Sequence, residues 1–231
     1  MKNKIIIIIV KTISFIKFDL SEIETNKRYK LLIGMVVPRP IAFITTINPQ
    51  NITNAAPFSY FNLMGNDPPI VSLGIGKDKS RKNKLKDTAY NIQQTGEFVI
   101  NIVNEDLIKD MNITSADFPS GLDETKETGL TQVPSSKVKP PRIAESPANL
   151  ECRHISSIEI RNTRITLGEV IYLHVKNEFV DEKGFILTDL IRPIGRMHQG
   201  GFYTRTNDLF NLPRPTYQEL LKKNKNHNDT K

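Results

Sequence analysis

Apolar residues in this chain fall into short β-branched runs punctuated by proline, glycine and asparagine, and sustained helical stripes are few. The run Ile41–Ile47 is apolar and hydroxyl-bearing, as a buried strand should be, and Pro38 and Pro40 exclude a helix just before it. Asn48–Asn51 is a turn, and Ile52–Met64 reads as the return strand and its exit. Asp67, Pro68 and Pro69 break the chain ahead of a strand at Ile70–Ile75. Further strands are predicted at Phe98–Val103, Leu150–Ile160, Ile165–Lys176 and Phe185–Asp189, with a turn at Asp181–Gly184. Short helices are predicted over Asp19–Arg28, capped by Ser21 with Glu24 three residues on, over Thr88–Thr95 between an Asp87 cap and Gly96, and over Glu105–Asn112. Helices that do not alternate with strands disfavour a doubly wound parallel sheet. The pattern predicts a mainly β, antiparallel, closed or partly closed barrel with a few short helices.

Two stretches stand apart. From Ile113 to Asn149 lie five prolines in a long excursion of loops with room for one helical turn, and a loop of that length in a compact domain usually covers a site or an interface. At the front, Lys2 and Lys4 before Ile5–Val10 resemble the charged and apolar regions of a signal peptide. Lys11 interrupts that run, however, and no small-residue cleavage site follows. The chain therefore divides into an N-terminal extension at 1–16, in which an extra strand is one option, a domain at 17–215, and a basic tail at 216–231.

Length and charge narrow the picture. A chain of 231 residues can bury a substantial core without disulfides or a structural metal, and a lone cysteine, Cys152, suits a reducing cytoplasm. No run is long enough to span a membrane. The net charge of +7 suggests nucleic acid at first sight, but residues 1–16 and 222–231 each carry +3, leaving +1 on 17–221. Basicity confined to the ends reads as solvated tails, not as a nucleic-acid-binding face.

The chain has no P-loop, no dinucleotide-binding glycine fingerprint after a strand, and no nucleophile elbow. Its four histidines are scattered, and Cys152 with His154 reads as two packed strand residues in preference to half a metal site. Two segments carry positive information. The strand pair Pro38–Phe61 sets small and hydroxyl residues (Ala42, Thr45, Thr46, Asn54, Ala55, Ala56, Ser59) among strand formers. Small residues let a planar ligand approach the backbone, and Thr, Ser and Asn can donate to phosphate or ring carbonyls. Lys86-Asp87-Thr88 opens a predicted helix, whose N-terminus suits a phosphate, with Lys86, Lys82 or Arg81 as countercharge. Each segment alone has an ordinary reading, threonine in strands and an aspartate cap in a basic run.

Taken together and in order, "PRPIAFITT", "NAAPFSYF", "DPP", "KDTAYNI", "GEFVINIV", "KPPRIAESPANLEC" and "LGEVIYLHV" resemble the flavin reductase-like, FMN-binding split-barrel family over about Tyr29–Tyr203. The branch most similar contains reductase components of two-component monooxygenases, such as that acting on nitrilotriacetate. The resemblance implies FMN in a Greek-key split barrel that forms a homodimer, with FAD left open as the flavin. By motif position it implies a flavin site at Pro40, Thr45, Thr46, Asn54, Ala56, Ser59 and Tyr60, with Phe58 and Phe61 either packing near the ring or filling the barrel. It adds Lys86 and Thr88 toward the phosphate, with Arg81 as a countercharge and Asp87 holding the loop, and His198 within an altered "GRMHQGGFY" segment. NAD(P)H is the implied reductant, and a monooxygenase or redox protein the implied partner. No side-chain acid or base is demanded, because the flavin carries the redox chemistry. A flavoredoxin-like electron carrier is the alternative within the same fold.

Overall fold

The computed structural model describes residues 15–78, 80 and 84–221. Arg81, Lys82, most of the N-terminal extension and the end of the basic tail lie outside the described residues. The chain runs α1 (Thr25–Met35), β1 (Ala42–Ile47), β2 (Thr53–Phe58), β3 (Phe61–Asn66), β4 (Pro69–Gly76), α2 (Asp87–Thr95), β5 (Glu97–Ile102) and α3 (Ile108–Ile113). It continues through α4 (Glu124–Thr128), β6 (Gln132–Val133), β7 (Arg142–Ile143), β8 (Ala148–Ile160), β9 (Thr163–Val175), a 3-10 turn (Asn177–Phe179), α5 (Thr188–Ile191), β10 (Gly195–Arg196) and β11 (Tyr203–Thr204).

Seven strands form one sheet in the order β2-β1-β5-β8-β9-β4-β3, with every pairing antiparallel. Its two edges, β2 and β3, are consecutive in the chain and separated only by Ser59 and Tyr60, so the sheet has to curl until its edges meet at that bend. The Gly74 amide donates to the Tyr60 carbonyl at 2.7 Å and fastens the bend, yet no ladder joins β2 to β3 and the barrel stays split. The neighbours β1–β5 and β4–β9 are distant in sequence, and the chain passes from β4 across β9 and β8 to β5, which gives the sheet Greek-key character. Pro57 is tolerated within β2 because this strand has a partner on one side only.

One core fills the barrel around Ile44, Leu73, Ile75, Ile92, Phe98 and Ile100. A second, around Phe43, Leu107, Met111, Leu130 and Ile143, lies where the excursion after β5 packs on the barrel's other face. With both faces covered, all six residues of β1 are buried. The Phe98 ring sits over Gly168, where a Cβ would come within 2.8 Å of Phe98 Cε1. Gly168→Ala therefore overpacks the barrel and is expected to lower stability by about 1–3 kcal/mol in urea unfolding.

Three sequence expectations are corrected. The first helix begins at Thr25, not near Asp19, because Ser21 turns back to donate its amide and hydroxyl to Asp19 Oδ1 at 2.9 and 2.6 Å. That turn uses the hydroxyl that a cap would need. Ile52–Met64 is two strands broken at the bend, not one strand with its exit. Phe185–Asp189 is no strand of the sheet: Val180 and Ile186 share a single bridge and α5 starts at Thr188. Period alone does not separate so short an apolar run from helix.

Candidate functional site

Between β2, the start of α2 and the loop before α4 lies a cavity of about 620 Å³. Asn54, Ala56 and Phe58, which share one face of β2, line it, and Pro57 joins them toward the strand's end. Lys86 and Thr88 reach it from the opening of α2, and residues 114–120 form its outer wall. Helix α2 is placed by its own sequence. Thr88, Ala89, Asn91 and Ile92 form its buried face, and Gly96 ends it in the left-handed region at φ 72°. Asp87 is the first helical residue and Lys86 occupies the cap position, one residue earlier than the sequence suggests. The Ser120 hydroxyl donates to Asp87 Oδ1 at 2.7 Å, tying the outer wall to the helix.

Beneath the cavity floor runs a directional hydrogen-bond chain. Asn91 Nδ2 donates to Thr46 Oγ1 at 3.0 Å, and Thr46 Oγ1 donates to Asn54 Oδ1 at 3.3 Å across a directly opposed strand pair. Thr88 Oγ1 donates to the same Asn54 oxygen at 2.9 Å, and Asn54 Nδ2 donates to Glu124 Oε1 at 2.7 Å. The Ala55 amide donates to Glu124 Oε2 at 2.8 Å. Because β2 is an edge strand, that amide has no ladder partner, and the Glu124 carboxyl satisfies it. Burial pushes the Glu124 carboxyl above its usual range, opposed by the hydrogen bonds from Ala55 and Asn54 and reinforced by the nearby Asp87 charge.

The sequence-derived residues thus divide. Asn54, Ala56, Lys86, Asp87 and Thr88 meet at one cavity, with Thr46 bonded directly beneath. Thr45 is on the opposite face of β1 and donates to the Pro141 carbonyl at 2.5 Å. Ser59, Tyr60 and Phe61 sit at the β2–β3 bend. There Ser59 accepts from Arg39 Nε at 3.4 Å, and Phe61 packs on the barrel core. Pro40 is exposed just before β1. His198 is exposed and stacks on Phe202 at 4.7 Å. Arg81 lies outside the described residues. Burial pushes the Cys152 thiol up, and His154 bonds Ser157 at 2.8 Å, as packed strand residues would. Among the described residues no group of three metal-binding side chains forms.

Sequence reasoning missed Glu124 and Asn91. Asn91 follows Thr88 by three residues and so shares its helix face, a usable signal. Glu124 sits in a solvated-looking Asp-Glu-Thr start of α4, and only the tertiary fold turns it inward.

The flavin reductase like domain matches residues 34–195, and the chain belongs to that family. An uncharacterized protein of Deinococcus radiodurans is 40% identical over 208 residues, covering 87% of this chain and 91% of its own. Among solved structures, the 2-nitrobenzoate 2-nitroreductase NbaA of Pseudomonas fluorescens superposes with a TM-score of 0.79 at 33% identity, covering 87% of this chain and 98% of its own. Component B of nitrilotriacetate monooxygenase from Bacillus cereus gives 0.81 at 28% identity, covering 87% and 100%.

Proposed function

We propose that this cavity binds FMN and that the protein is an NAD(P)H-dependent flavin reductase, supplying reduced flavin or electrons to a partner such as a monooxygenase component. The observation that carries the reading is the convergence of Asn54 and Ala56 on β2 with Lys86 and Thr88 at the start of α2. The volume falls in the usual range of about 300–1,000 Å³ for cofactor sites; Lys86 and the backbone amides that open α2 suit a phosphate, while Thr88, its hydroxyl given to Asn54, shapes the floor. Among the described lining residues, Lys77 is drawn to Glu159 at 3.0 Å, so Lys86 is the cation assigned to the phosphate. A flavin held by Asn54, Ala56, Lys86 and Thr88 would supply the hydride-accepting redox chemistry, and these residues would position it. FAD is a second candidate, because the cavity is open enough for an adenylate to trail outward.

Lys86→Ala should weaken FMN binding about tenfold, or about 1.4 kcal/mol, and leave riboflavin, which lacks the phosphate, nearly unaffected. Fluorescence titration of both ligands reads the difference. Equal losses for both would remove Lys86 from the phosphate.

A homodimer belongs to the same proposal. The edge strand β3 leaves Leu63 and Met64 exposed, and an open edge with an apolar rim favours a second copy. Light scattering of the purified protein tests it. Among the described residues no helix is long and apolar enough to cross a membrane. With a single cysteine in the chain, we place the protein in the cytoplasm.

A further inference from the structure

The flavin reading gives Glu124 no part, yet its geometry is that of a built group. The residue is 6% exposed, lines the cavity, and holds both carboxylate oxygens against donors of β2. The chain from Asn91 through Thr46 and Asn54 ends on it, with every donor aimed toward the carboxyl. The surrounding charges are mixed: Asp87 and Lys86 from α2, Lys77 and Asp78 beyond β4, and Asp117 from the outer loop line the same space. Asp123, at the start of its own helix, is committed to the Thr125 amide at 3.1 Å and to Gln132 Nε2 at 3.0 Å.

We infer that Glu124 makes occupancy of this cavity proton-linked, its carboxyl taking up a proton when a flavin fills the space, so that Glu124 is a specificity-determining residue for the ligand's ring. The inference rests on the flavin reading. A ring filling the cavity displaces the water that still reaches the carboxylate, and a charge losing its last solvent is neutralised where a proton can be gained. The neutral acid still accepts from Ala55 and Asn54. It also gains an O–H, so it can donate to a ring carbonyl or ring nitrogen, which a carboxylate would repel. The sign follows: a group whose pKa rises on binding takes up protons, so affinity falls as pH rises.

The test is calorimetric titration of riboflavin and FMN into the full-length protein, in two buffers of different ionisation heat at the same pH near 7. Riboflavin carries no phosphate to titrate, so its proton count belongs to the protein. Net uptake of more than about half a proton per riboflavin is expected, with a dissociation constant that weakens by up to about tenfold per pH unit. Glu124→Gln should abolish the uptake and flatten the pH profile, and Glu124→Asp, which keeps a carboxyl, should restore part of it. Binding heats that do not depend on the buffer in the wild-type protein would overturn the inference without any variant, as would undiminished uptake in Glu124→Gln. Failure of both ligands to bind would instead defeat the flavin reading, and this inference with it.

Discussion

Replacing Glu151 by alanine is expected to lower stability by about 3–5 kcal/mol, the largest effect of any single substitution considered for this chain. Glu151 sits on β8 with no exposed surface and gathers the excursion between α4 and β8 onto the barrel. Its Oε1 accepts the Ser136 amide at 2.6 Å, and its Oε2 accepts the amides of Lys137 at 2.6 Å and Val138 at 3.1 Å. His174 Nε2 closes on Oε1 at 2.5 Å. Alanine removes the acceptor and leaves three backbone donors together without a partner, each at a desolvation cost of about 1–3 kcal/mol unless the loop lifts into water. Either outcome unfastens the segment whose Pro141 carbonyl holds Thr45. Urea unfolding measures the loss.

The same carboxyl sets an acid limit. Burial alone would raise it, but hydrogen bonds from Ser136, His174 and Lys137 outweigh burial and hold it below its ordinary value of 4.5. A carboxyl whose folded pKa is depressed contributes stability that is complete above the unfolded value and lost as pH falls through the folded one. The wild-type protein should therefore lose stability steeply below about pH 4.5, and Glu151→Gln should show a shallower acid limb.

The second large effect is at Asn54. Asn54→Leu keeps the approximate volume but strands the Thr46 and Thr88 hydroxyls, and it removes a donor from Glu124, all in buried space. A stability loss of about 2–4 kcal/mol is expected, together with at least about a tenfold loss of FMN affinity. Thr88→Val is the contrast to measure: it deletes one donor of the set and should cost only about 1 kcal/mol. If Asn54→Leu binds FMN as well as wild type while unfolding more easily, the amide is structural and the floor of the cavity lies elsewhere.

The barrel was legible in the chain because its strands carry their signal locally. Ile41–Ile47, Ile70–Ile75 and Phe98–Val103 are runs bounded by proline, glycine or asparagine, and each proved a strand within a residue or two. Gly96 announced the end of α2 through the left-handed conformation that only glycine adopts cheaply. The break at Ser59–Tyr60 was illegible because it follows from closing a curled sheet, and nothing in the residue types demands it. Asn54, Lys86 and Thr88 draw attention in the sequence because their side chains advertise donors, and the fold brings them to one cavity. Glu124 draws none, because a glutamate in a polar helix start looks solvated until β2 offers it two donors. His198 shows the opposite case. A motif position drew attention to it, but the structure leaves it exposed beside Phe202, away from the cavity.

One measurement bears most directly on the account: the visible absorption spectrum of the purified protein mixed with FMN, recorded without oxygen before and after NADH or NADPH. A flavin band shifted and sharpened relative to free FMN, then bleached within the turnover time by one of the two nucleotides, is the predicted result. A spectrum identical to that of free FMN at every protein concentration would contradict the central claim that Asn54, Thr88 and the 114–120 wall enclose a flavin.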